Sequence, residues 1–120
     1  MRQHVNPLSK HYDKLIPIPL FEEIFKNKDL PVHLDLGFGT GEFLFKLAFQ
    51  NKHWNYIGIE IREKLVQKAK AQSKYKKHDN LFFAYGNANK LIKNLVPNLH
   101  KRNIQSISFN FPDPWFKKKH

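Results

Sequence analysis

At 120 residues, with 41% hydrophobic and 14% aromatic side chains, the chain has the size of one domain and enough apolar surface to fold around one core. It has no cysteine, which excludes disulfides, thiolate zinc sites and a thiol nucleophile, and it has neither a signal-peptide-like start nor the roughly 20 consecutive apolar residues that a bilayer span requires. The net charge of +11 lies wholly in residues 61–120, which carry fourteen basic and three acidic side chains against seven of each in residues 1–60; this points to a polyanionic partner, nucleic acid before an anionic membrane surface, with a compositional bias toward lysine as the competing explanation.

Residues 1–31 read as a basic N-terminal arm followed by a short helix. Pro7, Pro17 and Pro19 interrupt regular structure, and Leu20, Phe21, Ile24 and Phe25 share one helical face. Residues 32–120 then alternate strand and helix. Val32–Leu36 is a short apolar strand, and Glu42–Gln50 a helix with Phe43, Leu44, Leu47 and Ala48 inward. Asn55–Ile59 is a second strand, and Arg62 to about Lys77 a second helix that buries Leu65, Val66 and Ala69. Its lysine-rich last turns suit the negative end of the helix dipole. Asn80–Tyr85 is a third strand, Ala88–Val96 a short helix closed by Pro97, and Ile104–Phe111 a fourth strand stopped at Pro112. The alternation predicts right-handed βαβ units in an α/β, Rossmann-like, doubly wound and mostly parallel sheet. Such sheets usually have more strands, so the fold is expected to be incomplete and its C-terminal part missing.

Four motifs carry chemistry. Asp35-Leu36-Gly37-Phe38-Gly39-Thr40-Gly41 joins the first strand to the first long helix, at the edge where an open parallel sheet binds nucleotides. Glycines let the backbone turn and approach a ligand closely. The spacing is G-x-G-x-G, tighter than the dinucleotide G-x-G-x-x-G, and Asp35 and Glu42 flank it. Two anions repel a pyrophosphate and welcome a cation. S-adenosylmethionine, with a sulfonium, an ammonium and no phosphate, suits such a turn; a purely structural glycine turn is the alternative. Glu60 closes the second strand nineteen residues after Gly41, where a carboxylate can accept both ribose hydroxyls. Gly86-Asn87-Ala88 follows the third strand, and Asn87 can either meet the adenine edge or cap the next helix. Last comes Asn110-Phe111-Pro112-Asp113-Pro114-Trp115-Phe116-Lys117-Lys118-Lys119-His120. Its prolines restrain Asp113, Trp115 offers a face for base stacking, and Lys117, Lys118 and Lys119 suit backbone phosphates.

This last motif resembles the P-D-P-W-x-K-x-x-H signature of bacterial tRNA (guanine-N7)-methyltransferases, and the order D-x-G-x-G-x-G, G-I-E, P-D-P-W matches that family over residues 34–120. The resemblance implies a class I methyltransferase that methylates the variable-loop guanine of tRNA. It implies that Asp35, Gly37, Gly39, Gly41, Glu60, Asn87 and Asp113 meet S-adenosylmethionine, that Asp113 is catalytic, and that Lys117 contacts RNA. Asp35 stands where the family more often has Glu, Asn87 where it often has Asp, and Phe38 where a Cys or a small residue is common. The family's C-terminal substrate-binding segment has no counterpart.

Guanine N7 has a lone pair and no proton, so transfer needs alignment and a carboxylate that stabilises the growing positive charge, a role that falls to Asp113. No metal is required, and the seven histidines show no close ligand spacing. tRNA is the expected partner, with no membrane; the protein is expected to be cytoplasmic, as a monomer or a homodimer. The alternatives are a class I methyltransferase acting on an amine, which would usually carry N/D-P-P-Y/F in place of P-D-P-W; a nicotinamide-dependent dehydrogenase, which the glycine spacing disfavours; and a non-catalytic RNA-binding fragment.

Overall fold

The computed structural model of the protein describes residues 18–87 and 103–110. A four-residue helix, α1 (Phe21–Ile24), precedes strand β1 (Val32–Leu36), helix α2 (Glu42–Gln50), strand β2 (Asn55–Glu60), helix α3 (Glu63–Lys76), strand β3 (Leu81–Tyr85) and strand β4 (Ile104–Phe109). The four strands form one sheet in the order β3-β2-β1-β4, and every neighbouring pair is parallel. The α/β, Rossmann-like architecture expected from the alternation is therefore present. Strand β4 ends at Phe109, two residues before the sequence-based boundary, and the proposed helix over 88–96 lies outside the described residues.

Strands β2 and β3 are largely apolar on both faces, as strands covered on both sides require, whereas β1 and β4 carry His33, Asp35, Ser106 and Ser108 on one face. One face packs Val32, Leu34, Leu36, Ile57, Ile59, Ala84 and Ile104 with Phe25, and α1 rests on this layer through Phe21 and Ile24. The other face packs Tyr56, Leu81 and Phe83 against Leu44, Phe45 and Ala48 of α2 and Val66 and Ala69 of α3. One expectation is corrected here. Phe43 is exposed, and its neighbour Phe45 is the buried ring, stacked in a tilted arrangement 5.2 Å from Phe83. Both phenylalanines fit a plausible helical face. The core side of α2 is decided by the large ring of Phe83 beneath it, which sequence spacing does not reveal. Leu65 is half-buried, with Val66 and Ala69 the inward pair of α3.

Two features fix the connections on either side of α2 to this frame. Asn80 is buried, and its amide donates to the carbonyls of Ala48, Asn51 and Trp54, fixing the return from α2 to β2. Gly58, in the middle of β2, lies under the turn itself. A β-carbon there would sit 2.6 Å from Leu44 Cδ1 and 2.7 Å from Phe38 Cδ2. Phe38, the bulky residue in the glycine turn, is accommodated because β2 offers it a position without a side chain, and its ring packs 4.6 Å from Phe83. Gly58→Ala therefore overpacks the layer and should lower stability by about 1–3 kcal/mol. Denaturant unfolding should show a lower midpoint at unchanged slope; a midpoint equal to that of the parent protein would refute the packing argument.

Candidate functional site

The carboxyl ends of the strands are tied to one another by backbone hydrogen bonds. Gly37 N–H donates to Ile59 C=O at 2.7 Å, Gly86 N–H to Glu60 C=O at 3.0 Å, and Asn110 N–H to Leu36 C=O at 2.8 Å. Asp35, the glycine turn, Glu60 and Asn87 are thereby gathered along one edge, and Asn110, which opens the P-D-P-W segment, joins them. Asp113, Trp115, Lys117, Lys118 and Lys119 lie outside the described residues.

Within the turn, Gly37, Gly39 and Gly41 all have positive φ, at 82°, 65° and 85°. Gly41 then opens α2, its C=O accepting from Phe45 N–H at 2.8 Å. Gly39 is the position where close approach matters. Its φ disfavours any side chain, and a β-carbon placed on it meets nothing within 4 Å among the described residues. The missing side chain is not making room for protein atoms; the open space beside the backbone is available to a ligand.

Two buried carboxylates flank this opening. Glu60 has 2% side-chain exposure, and its oxygens are saturated. Oε1 accepts from Gly39 N–H at 2.9 Å and from Arg62 Nη2 at 3.1 Å; Oε2 accepts from Arg62 Nε at 2.7 Å and from Arg62 N–H at 3.2 Å. Burial pushes the Glu60 carboxyl up, but the guanidinium and the two backbone N–H groups together outweigh it and leave it below its ordinary value. The acid expected to receive ribose hydroxyls is thus already paired with a guanidinium.

Asp35 is 1% exposed. Its Oδ1 accepts from Ser108 Oγ at 2.6 Å and from Asn110 Nδ2 at 2.7 Å. Its Oδ2 is buried and has no hydrogen-bond partner among the described residues. A buried carboxylate oxygen without a donor is costly unless something else supplies one. A ligand that brings a cationic donor suits the unpaired oxygen of Asp35, whereas a vicinal diol reaches Glu60 only by displacing Arg62 donors. A pyrophosphate would meet two carboxylates instead. S-adenosylmethionine has the groups that fit.

The sequence reading missed Arg62, Ser108 and Asn110. Arg62 follows Glu60 by two residues, a spacing at which a long side chain can fold back onto a strand end. Ser106 and Ser108 alternate along β4 in phase with His33 and Asp35 of β1, a period-2 signal that was available.

A second feature lies toward the other end of α3. A cleft of about 480 Å³ is lined by Lys70, Ser73, Lys74, Lys77, His78, Leu81, Phe82 and Phe83. Lys70 Nζ lies 5.8 Å from the centre of the Phe82 ring. Part of the charge excess of the second half is thus concentrated along α3 and its C-terminal cap, beside the apolar edge strand β3. No helix among the described residues is long and apolar enough to cross a membrane.

The family model described as "Putative methyltransferase" matches residues 29–120. A tRNA (guanine-N(7)-)-methyltransferase of Prochlorococcus marinus subsp. pastoris is 56% identical over all 120 residues, which make up 57% of that relative. The enzyme of the same name from Synechococcus elongatus is 41% identical over the whole chain, which makes up 56% of that relative. The chain thus spans somewhat more than half the length of the curated relatives it matches. Among solved structures, a dimethyladenosine transferase from Plasmodium falciparum superposes on 77% of this chain and 30% of its own, with a TM-score of 0.52 and 25% identity.

Proposed function

The chain belongs to the methyltransferase family whose model spans residues 29–120, and from that premise we propose that it carries the cofactor-binding and methyl-transferring part of a tRNA (guanine-N7)-methyltransferase. The observation that supports this most is the carboxyl edge itself: an open glycine turn between a buried Asp35 with one unsatisfied oxygen and a buried Glu60. The names of the relatives supply the substrate, and the lysine-rich cleft along α3 adds a surface suited to RNA phosphates.

In this reading S-adenosylmethionine, when bound, supplies an electrophilic methyl group on a sulfonium. Asp35 takes the ammonium of the cofactor's amino-acid arm. Glu60 takes the ribose diol, whose two hydroxyls replace the two side-chain donors of Arg62. Asn87, set beside Glu60 by the Gly86 N–H to Glu60 C=O bond, meets the adenine edge. Three peptide units separate Asp113 from Asn110, a reach of at most about 10 Å. Asp113 stabilises the positive charge that develops on the purine, Trp115 stacks on a base, and Lys117, Lys118 and Lys119 meet phosphates. The protein acts in the cytosol, where tRNA is its partner.

The test is transfer of a labelled methyl group to tRNA, followed by mapping of the modified base. Label at N7 of a variable-loop guanine is the expected result. Label on an exocyclic amine, the chemistry in the name of the Plasmodium neighbour, would assign the protein to a different reaction, and no incorporation into any RNA would end the proposal.

A further inference from the structure

His33 is the second residue of β1, and Ser106 and Ser108 alternate along β4. The parallel register places His33 beside Ser106 and Asp35 beside Ser108, so all four side chains share one face of the sheet. The imidazole bridges the two serines. Its Nδ1 is 2.8 Å from Ser106 Oγ and its Nε2 is 2.9 Å from Ser108 Oγ. Ser108 Oγ is in turn 2.6 Å from Asp35 Oδ1.

The protons in this chain can be placed by elimination. A carboxylate only accepts, so the single proton of the Ser108 hydroxyl points at Asp35. The Ser108 oxygen then has only acceptor capacity left for His33, so the ring proton sits on Nε2. A neutral ring with its proton there has a lone pair at Nδ1, which accepts from the Ser106 hydroxyl. Burial lowers the His33 pKa, against a smaller opposing pull from Asp35, and so favours the neutral ring that this arrangement uses. The order Ser106, His33, Ser108, Asp35 is therefore a directed chain of donors ending on Oδ1. With the Asn110 amide as a second donor to the same oxygen, Oδ1 is fixed and Oδ2 alone is left over.

We infer that Ser106, His33 and Ser108 are positioning residues: they hold Asp35 in the one rotation that leaves the buried Oδ2 without a protein donor, a donor that the ammonium of the cofactor's amino-acid arm supplies. This deepens the reading of the edge as an S-adenosylmethionine site and rests on it. A carboxylate free to turn would present either oxygen, and the ammonium would have to order it on arrival. Here the protein has ordered it beforehand.

Two ligands separate positioning of Asp35 from general support of the fold. S-adenosylhomocysteine carries the amino-acid arm, whereas 5′-methylthioadenosine has the same adenosine and thioether without it. Calorimetric titration of the parent protein, Ser108→Ala, His33→Leu and His33→Gln gives the comparison. Ser108→Ala, which removes a hydrogen bond to the Asp35 carboxylate, should lower affinity for S-adenosylhomocysteine by about tenfold; His33→Leu, which leaves that bond but frees the Ser108 hydroxyl to turn, should lower it by a smaller factor, and both should leave 5′-methylthioadenosine binding unchanged. His33→Gln, whose amide keeps one donor and one acceptor, should restore most of the loss. An equal loss for both ligands, or undiminished S-adenosylhomocysteine affinity in folded Ser108→Ala, overturns the inference. If His33→Leu does not fold, Ser108→Ala, which deletes a single half-buried hydroxyl, decides alone. A parent protein that binds neither ligand refutes the cofactor site itself, a result distinguishable from failure of the positioning role.

Discussion

Under the proposed reaction, in a complete and active form of the protein, replacing Asp113 by asparagine should lower the single-turnover rate of methyl transfer to guanine by roughly 10²-fold, while affinities for cofactor and tRNA stay nearly unchanged. The size follows from the chemistry of N7. Its lone pair lies in the plane of the base and bears no proton, so a general base has nothing to remove. What the reaction develops is positive charge on the purine, and a fixed carboxylate nearby stabilises that charge more in the transition state than in the ground state. Asparagine keeps the shape and some of the hydrogen bonding but removes the charge. Asp113→Ala should fall further, because orientation of the guanine is lost as well. Quenched-flow measurement of label transfer at saturating enzyme separates the chemical step from binding. A rate equal to that of the parent protein would remove Asp113 from the mechanism.

The second large effect belongs to Glu60. Glu60→Ala should weaken S-adenosylhomocysteine binding by about 1.5–3 kcal/mol, since a charged acceptor of two hydroxyl groups is lost. The structure adds that glutamine is no safe substitute. Both carboxylate oxygens face N–H donors, from Gly39 and from Arg62, and an amide nitrogen in either place would set donor against donor. Glu60→Gln should therefore bind nearly as poorly as Glu60→Ala. The same carboxylate shapes the response to acid. Its pKa is lower in the folded protein than in the unfolded chain, so its stabilising contribution is complete above the ordinary glutamate value and is lost as pH falls through the lowered one. Thermal melts from neutral to acid pH should show a shallower acid decline in Glu60→Ala than in the parent protein. Calorimetry that finds undiminished affinity in a folded Glu60→Ala would take this residue out of the site.

Much of this edge was legible in the sequence because local pattern and tertiary placement agree there. Val32–Leu36 and Glu42–Gln50 have the boundaries that composition and the glycine turn imply, and a carboxylate nineteen residues beyond Gly41 does end the neighbouring strand. What was not legible depends on partners distant in the chain. The choice of Phe45 over Phe43 as the buried ring depends on Phe83, and the tolerance of Phe38 in the turn depends on Gly58. The pairing of Glu60 with Arg62 was within reach of a local reading. The Ser106–His33–Ser108 chain was less so, because it exists only once β1 and β4, more than seventy residues apart, lie side by side in a particular register.

The bonds from Gly39 N–H to Glu60 Oε1 and from Gly37 N–H to Ile59 C=O tie the glycine turn to the neighbouring strand, and the bond from Gly41 N–H to Phe38 C=O closes the turn on itself. Fixing a backbone residue costs roughly 1–2 kcal/mol of conformational entropy, and glycine loses the most freedom of all. Over residues 37–41 that sum is comparable with the whole binding energy of a micromolar ligand. The groups that fix this turn belong to the protein's own strands, so the ordering cost is offset by the buried sheet on which the turn sits.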